Sequence, residues 1–111
     1  PAAIQPEQDV GFQAARKQQE DALVSTEKVV KEVAEASDDD IQKAMTTLNM
    51  AILSARQSIQ SLRGVETPER RKRIRALREG NARLRSAYAV LQAQVPDLTP
   101  EILQKDIKSG S

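Results

Sequence analysis

Residues 41–62 read IQKAMTTLNMAILSARQSIQSL, and their apolar pattern is the clearest indication of the architecture of this chain. Its apolar residues recur at alternating steps of four and three, the heptad rhythm of an amphipathic helix that packs against other helices. Ser37 before three aspartates is typical of a helix N-cap, and Gly64 is typical of the residue just past a helix end. The apolar seam of this helix consists of Ile41, Met45, Leu48, Ile52, Ala55, Ile59 and Leu62.

Two flanking segments carry the same rhythm. Residues 10–36 predict a first helix whose seam is made mostly of small residues: Phe12, Ala15, Gln19, Ala22, Thr26, Val29, Val33 and Ala36. Thr67-Pro68-Glu69 is a helix start signal, and Pro96 ends the segment that follows it. The seam of this third helix runs through Ile74, Leu77, Asn81, Leu84, Tyr88, Leu91 and Val95.

The matched lengths and short turns predict an all-α fold, an antiparallel up-down-up three-helix bundle. Thr99-Pro100-Glu101 repeats the start signal, so we expect a short fourth helix over 100–108. We expect a flexible lead-in over 1–9, a single domain over 10–108 and a flexible end over 109–111. Two alternatives remain open from the sequence: a helical hairpin that dimerises, and one long helix unbroken at residues 37–40.

Polar residues interrupt the seams at Gln19, Thr26 and Asn81, and Gly80 lies within the third helix. A glycine there costs about 1 kcal/mol relative to alanine. A buried Asn can fix the register of packed helices at some loss of stability. The alternative interpretation is that these polar residues mark a groove that opens for a partner helix.

The composition excludes several classes of function. The chain of 111 residues has no Cys, no His and no Trp, with one Tyr and one Phe. It therefore lacks a thiolate nucleophile, an imidazole base and the usual zinc or haem ligands. No Gly-rich phosphate loop or nucleophile elbow occurs, so we expect no enzyme activity and no cofactor. Asp38-Asp39-Asp40 is explained by helix capping rather than by a metal site.

Charge is strongly segregated along a chain whose net charge is only +1. Residues 1–36 carry four basic and seven acidic side chains, whereas residues 65–95 carry eight basic and three acidic ones. Helical spacing places one row of arginines on a single flank of the third helix. This row, the candidate binding stripe, is Arg71, Arg75, Arg78 and Arg85, with Arg70, Arg73 and Arg83 as secondary candidates.

The stripe has two interpretations. In one, its arginines pair with Glu20, Glu27 or neighbouring carboxylates of the first helix and clamp it. In the other, they bind an acidic partner, because arginine forms bidentate contacts with carboxylates and phosphates.

From these features we expect a non-enzymatic helical module that binds another protein, one with an acidic or helical surface. One alternative is binding to an anionic surface, either a phosphoinositide membrane or a nucleic acid, through the arginine-rich flank of the third helix. A further alternative is a structural or oligomerisation role. A dedicated nucleic-acid domain is expected to be far more basic than this chain. No apolar run approaches the length of a membrane span, and no signal peptide is visible. The sequence slightly favours a cytoplasmic location, with secreted and periplasmic locations as alternatives.

Overall fold

A computed structural model describes residues 3–64 and 67–98, and within these ranges the chain is helical and contains no strand. Helix α1 spans Pro6–Lys31, a short 3₁₀ helix spans Val33–Glu35, α2 spans Asp38–Leu62 and α3 spans Pro68–Gln94. Each long helix packs against the other two, so the three form a bundle within one chain. This confirms the all-α class and the three long helices. The predicted fourth helix lies outside the described residues.

The ends of α2 and α3 follow the predicted local signals. The Ser37 hydroxyl accepts a hydrogen bond from the Asp40 amide at 3.1 Å, and the Thr67 hydroxyl accepts one from the Arg70 amide at 3.2 Å. Gly64 has a φ of +121°, a conformation that L side chains rarely adopt. These caps satisfy amides and allow the chain to turn sharply where the helices begin and end.

The first helix differs from its prediction at both ends. It begins at Pro6, four residues before the expected start, because the Gln8 side chain closes its first turn by accepting from the Gln5 amide at 3.0 Å. It ends at Lys31, where a 3₁₀ helix and extended residues lead to α2. The alternative of one unbroken helix is therefore wrong. Val33 and Ala36 still pack against the core, as their seam positions predicted.

The starts of α1 and α3 meet the end of α2. Gln8 Nε2 donates to the Ser61 carbonyl at 2.6 Å. Arg70 is 6% exposed, and its guanidinium donates to the Leu62 carbonyl, the Ala3 carbonyl and Gln8 Oε1 at 3.0–3.4 Å. Because these three ends lie together, α2 runs antiparallel to both of its neighbours.

The core follows the predicted seams. Every seam residue of α2 is buried, and Leu77, Leu84 and Leu91 of α3 are fully buried. Burying an aliphatic side chain contributes about 1.5–3 kcal/mol, so these residues dominate stability. The weaker seam of α1 buries two alanines together with Gln19 and Thr26.

A polar cluster crosses the middle of this core. Gln19 Nε2 donates to Asn81 Oδ1 and to the Leu77 carbonyl, both at 2.9 Å. Asn81 Nδ2 donates to the Ile52 carbonyl at 3.3 Å, so one cluster joins all three helices. A Cβ built on Gly80 would overlap the Gln19 amide. Gly80 is therefore the position where α1 approaches α3 closely enough for these bonds.

Candidate functional site

A groove of about 350 Å³ runs along the junction of α2 and α3. Four arginines line it: Arg56 of α2, Arg63 at the C-cap of α2, and Arg78 and Arg85 of α3. We call the groove lined by these four residues the arginine groove. Ile59, Gln60 and Asn81 complete its lining.

Helix register places the arginines at three levels along the groove. The bond from Asn81 to the Ile52 carbonyl fixes the alignment of the two antiparallel helices. Arg56 lies one turn after Ile52 and Arg78 lies about one turn before Asn81, so these two arginines share a level. Arg63 and Arg85 each lie seven residues further along their own helices, in opposite directions. At 1.5 Å per residue, the three levels are about 10.5 Å apart.

Within the described part of the chain, the charges of the four guanidinium groups are not neutralised by acidic side chains. No residue that the structure describes forms an ion pair or hydrogen bond with them. The sequence of α2 contains no acidic residue after Asp40, about 24 Å along the helix from Arg56 at 1.5 Å per residue. Like charges at facing helix flanks are destabilising. The arrangement therefore concentrates positive charge that the bundle itself does not use.

The opposite flank of α3 is built differently. Arg73 pairs with Asp9 of α1 at 3.0 Å and with Glu69 at 3.4 Å, and it lies over the Phe12 ring at 5.4 Å. Arg83 lies 3.9 Å from Glu20 of α1. On the side facing α1, basic residues of α3 thus lie opposite acidic residues of α1. Such opposite charges across a helix junction stabilise a bundle.

The predicted stripe is divided by this geometry. Arg78 and Arg85 line the groove, whereas Arg71 and Arg75 are exposed outside its lining. The acidic residues proposed to clamp the stripe are engaged elsewhere. Glu20 contacts Arg16 and Arg83, and Glu27 pairs with Lys31.

The secondary candidates contact other parts of the bundle. Arg70 is buried and joins the helix ends, while Arg73 and Arg83 contact α1. Sequence reasoning missed Arg56 and Arg63, which come from the helix next to the stripe. Their seven-residue spacing was a visible signal, but only the antiparallel register of α2 and α3 shows that Arg56 is level with Arg78 and that Arg63 and Arg85 lie at opposite ends of one groove.

Two further hollows lie on α1. One of about 310 Å³ is lined mainly by apolar residues of α1, including Leu23, Val24 and Val30, together with Ala87 of α3. Glu27 and Lys31 stand at its edge, 2.7 Å apart. The hydrogen bond and positive charge of Lys31 lower the pKa of Glu27, and the hydrogen bond to Glu27 and its negative charge raise the pKa of Lys31. The other hollow, near the end of α1, is lined partly by Glu32, Glu35 and Asp40.

Within residues 3–64 and 67–98, no three His, Cys, Asp or Glu side chains come together in a way that could hold a metal ion. None of the helices in those ranges combines the length and apolar character needed to cross a membrane. No protein-family model, curated protein or solved structure matches this chain.

Proposed function

We propose that the protein is a binding module that captures an acidic segment of another protein in the arginine groove. The observation that carries this proposal is the convergence on one groove of four arginines that have no ion-pair or hydrogen-bond partner among residues 3–64 and 67–98. Arginine is favoured at binding hot spots, and its planar guanidinium matches a carboxylate with two parallel hydrogen bonds. A carboxylate-rich partner would therefore supply the negative charge that α2 lacks beyond Asp40.

A protein segment fits the charge distribution better than a membrane or a nucleic acid does. The arginines line a groove about 21 Å long, at 1.5 Å per residue, which suits a narrow ligand rather than a flat surface. The net charge is only +1, and the acidic side chains of α1 oppose the close approach of an extended polyanion. No aromatic side chain lines the groove to stack on bases.

The test uses a fluorescein-labelled peptide of about 20 residues rich in Glu and Leu, a length that covers the groove as a helix. Arg56→Gln/Arg78→Gln, the groove variant, removes the two arginines that share the middle level. Lys28→Gln/Arg83→Gln, the control variant, removes the same charge from outside the groove. Fluorescence anisotropy measures the peptide Kd for each protein, and circular dichroism checks that each remains helical.

We expect the groove variant to weaken binding about tenfold or more, because central arginines contribute most to such interfaces. The control variant is expected to change the Kd by less than about threefold, since distant exposed charges are screened at physiological salt. Equal losses in the two variants would mean that overall charge attracts the peptide, and the groove would then be rejected as the binding site.

A further inference from the structure

We infer that the segment bound in the arginine groove is an α-helix, lying lengthwise as a fourth helix and presenting carboxylates at intervals of seven residues. This inference rests on the proposed function, because it specifies the shape and spacing of the acidic partner. Its basis is the placement of the arginines along the groove rather than their charge alone.

The arginine levels follow a helical repeat. Arg63 stands at one end, Arg56 and Arg78 share the middle, and Arg85 stands at the other end. The levels are about 10.5 Å apart, the rise of seven residues in an α-helix. Residues seven apart on a helix fall on nearly the same face, with a drift of only about 20° per heptad. One helix face can therefore present a carboxylate to every level.

An extended segment does not match this spacing. In a β-strand, side chains on one face recur every second residue, at intervals of about 6.7 Å. The third residue along a strand lies about 10 Å away but points to the opposite face. A strand would thus place a side chain at one arginine level and none at the next. A helix can place one side chain at each of the three levels without distortion.

The groove also has the form that helix packing requires. It lies between two antiparallel helices, the position that a further helix occupies in a four-helix bundle. Leu53, three residues before Arg56, is half-buried and offers apolar surface on the α2 side. Ala82, four residues after Arg78, is exposed and small, so a second backbone can approach α3 closely. Arginine stems add further apolar surface along both walls.

Three labelled peptides of equal length, with equal numbers of Glu, separate shape from charge. The heptad peptide carries Glu at every seventh position beside a Leu seam. The shifted peptide has the same composition, with Glu at every fifth position, which spreads the carboxylates around the helix. The broken peptide is the heptad peptide with two central residues replaced by Pro, which disrupts the helix. Each is titrated against the wild-type protein, the groove variant and the control variant.

We expect the heptad peptide to bind the wild-type protein about tenfold more tightly than either other peptide, the scale of one good hot-spot contact. This preference should disappear in the groove variant and persist in the control variant. Circular dichroism should show a gain of helix when the heptad peptide binds, because a short isolated helix is marginal in water.

Equal affinity for all three peptides, lost in the groove variant, would overturn the helical inference and leave the proposed function standing. Binding of every peptide that is insensitive to the groove variant would overturn both. Vesicles of phosphatidylcholine with phosphatidylserine, and a single-stranded oligonucleotide, are tested in parallel. Tighter binding of either through the same arginines than of the heptad peptide would overturn the protein partner.

Discussion

Replacing Gly80 with alanine should destabilise this protein, although the same change usually stabilises a helix. Helix propensity alone favours alanine over glycine by about 1 kcal/mol. A Cβ at position 80, however, would occupy the space of the Gln19 amide. Because that amide ends a flexible side chain, it can rotate away from the new Cβ. The free energy of unfolding is then lowered by the loss of the amide's hydrogen bonds.

The cost can be worked from those bonds. Gln19 would lose its contacts with the Leu77 carbonyl and Asn81 Oδ1, and the buried Asn81 oxygen would lose its donor. A neutral hydrogen bond contributes about 1 kcal/mol net, and a buried unsatisfied group costs about 1–3 kcal/mol. After the gain in helix propensity is subtracted, Gly80→Ala should lower the free energy of unfolding by about 2 kcal/mol.

Gly11→Ala is the matched control, because a Cβ at this exposed position in α1 meets nothing within 4 Å. It should raise the free energy of unfolding by about 1 kcal/mol. Urea titration followed by circular dichroism measures both variants, and Gly80→Ala is repeated in a Gln19→Ala background. There the overlap is gone, so Gly80→Ala should become stabilising. Stabilisation by Gly80→Ala in the otherwise wild-type chain would refute the close packing of Gln19 on Gly80.

Three further predictions concern charged residues. Arg70→Ala should lower the free energy of unfolding by about 2–3 kcal/mol in urea titration, because this buried guanidinium donates to the Leu62 carbonyl at the end of α2 and to the Ala3 carbonyl before α1; an unchanged midpoint would contradict that role. The groove variant should be slightly more stable than wild type at low salt, by less than about 1 kcal/mol, and the difference should shrink as salt screens the repulsion; a loss of stability at low salt would argue against repulsion. Because Lys31 lowers the pKa of Glu27, this pair contributes stability above the unfolded-state pKa of Glu27 and loses it as pH falls through the folded-state value. NMR titration should show the pKa of Glu27 rising toward its ordinary value in Lys31→Gln, and no change would exclude the pair in solution.

The sequence was most informative where one physical rule acts locally. Heptad periodicity identified the buried faces, and the Ser37, Gly64 and Thr67 signals located the ends of α2 and α3 because each acts within a few residues. The end of α1 has no glycine or proline to mark it, so periodicity continued past it. Its start depends on Gln8, whose other partners lie on α2 and α3, and no local pattern reports such contacts.

The sequence predicted only two of the four groove arginines, because spacing along one helix does not show which residues of the next helix line the same groove. Spacing along α3 identified Arg78 and Arg85, but it also made Arg70 a secondary binding candidate. Arg70 is buried because the end of α2 and the start of α1 meet around it, which depends on tertiary structure. Gly80 presents a similar case, because the need for a glycine there comes from the packing of Gln19, which is 61 positions away in the sequence.

The two flanks of α3 provide an internal comparison that bears on why the arginine groove exists. Toward α1, Arg73 and Arg83 face carboxylates, so this chain does place opposite charges across a helix junction. Toward α2, arginine faces arginine, and the nearest acidic residues of α2 are in its first turn. If stability alone determined both flanks, carboxylates would be expected on α2 as well, since a complementary pair contributes and a like pair opposes folding. The repulsion is small enough for a well-packed core to tolerate, and the proposed acidic partner would relieve it. Affinity for that partner should therefore fall as groove arginines are neutralised, even in variants whose free energy of unfolding rises.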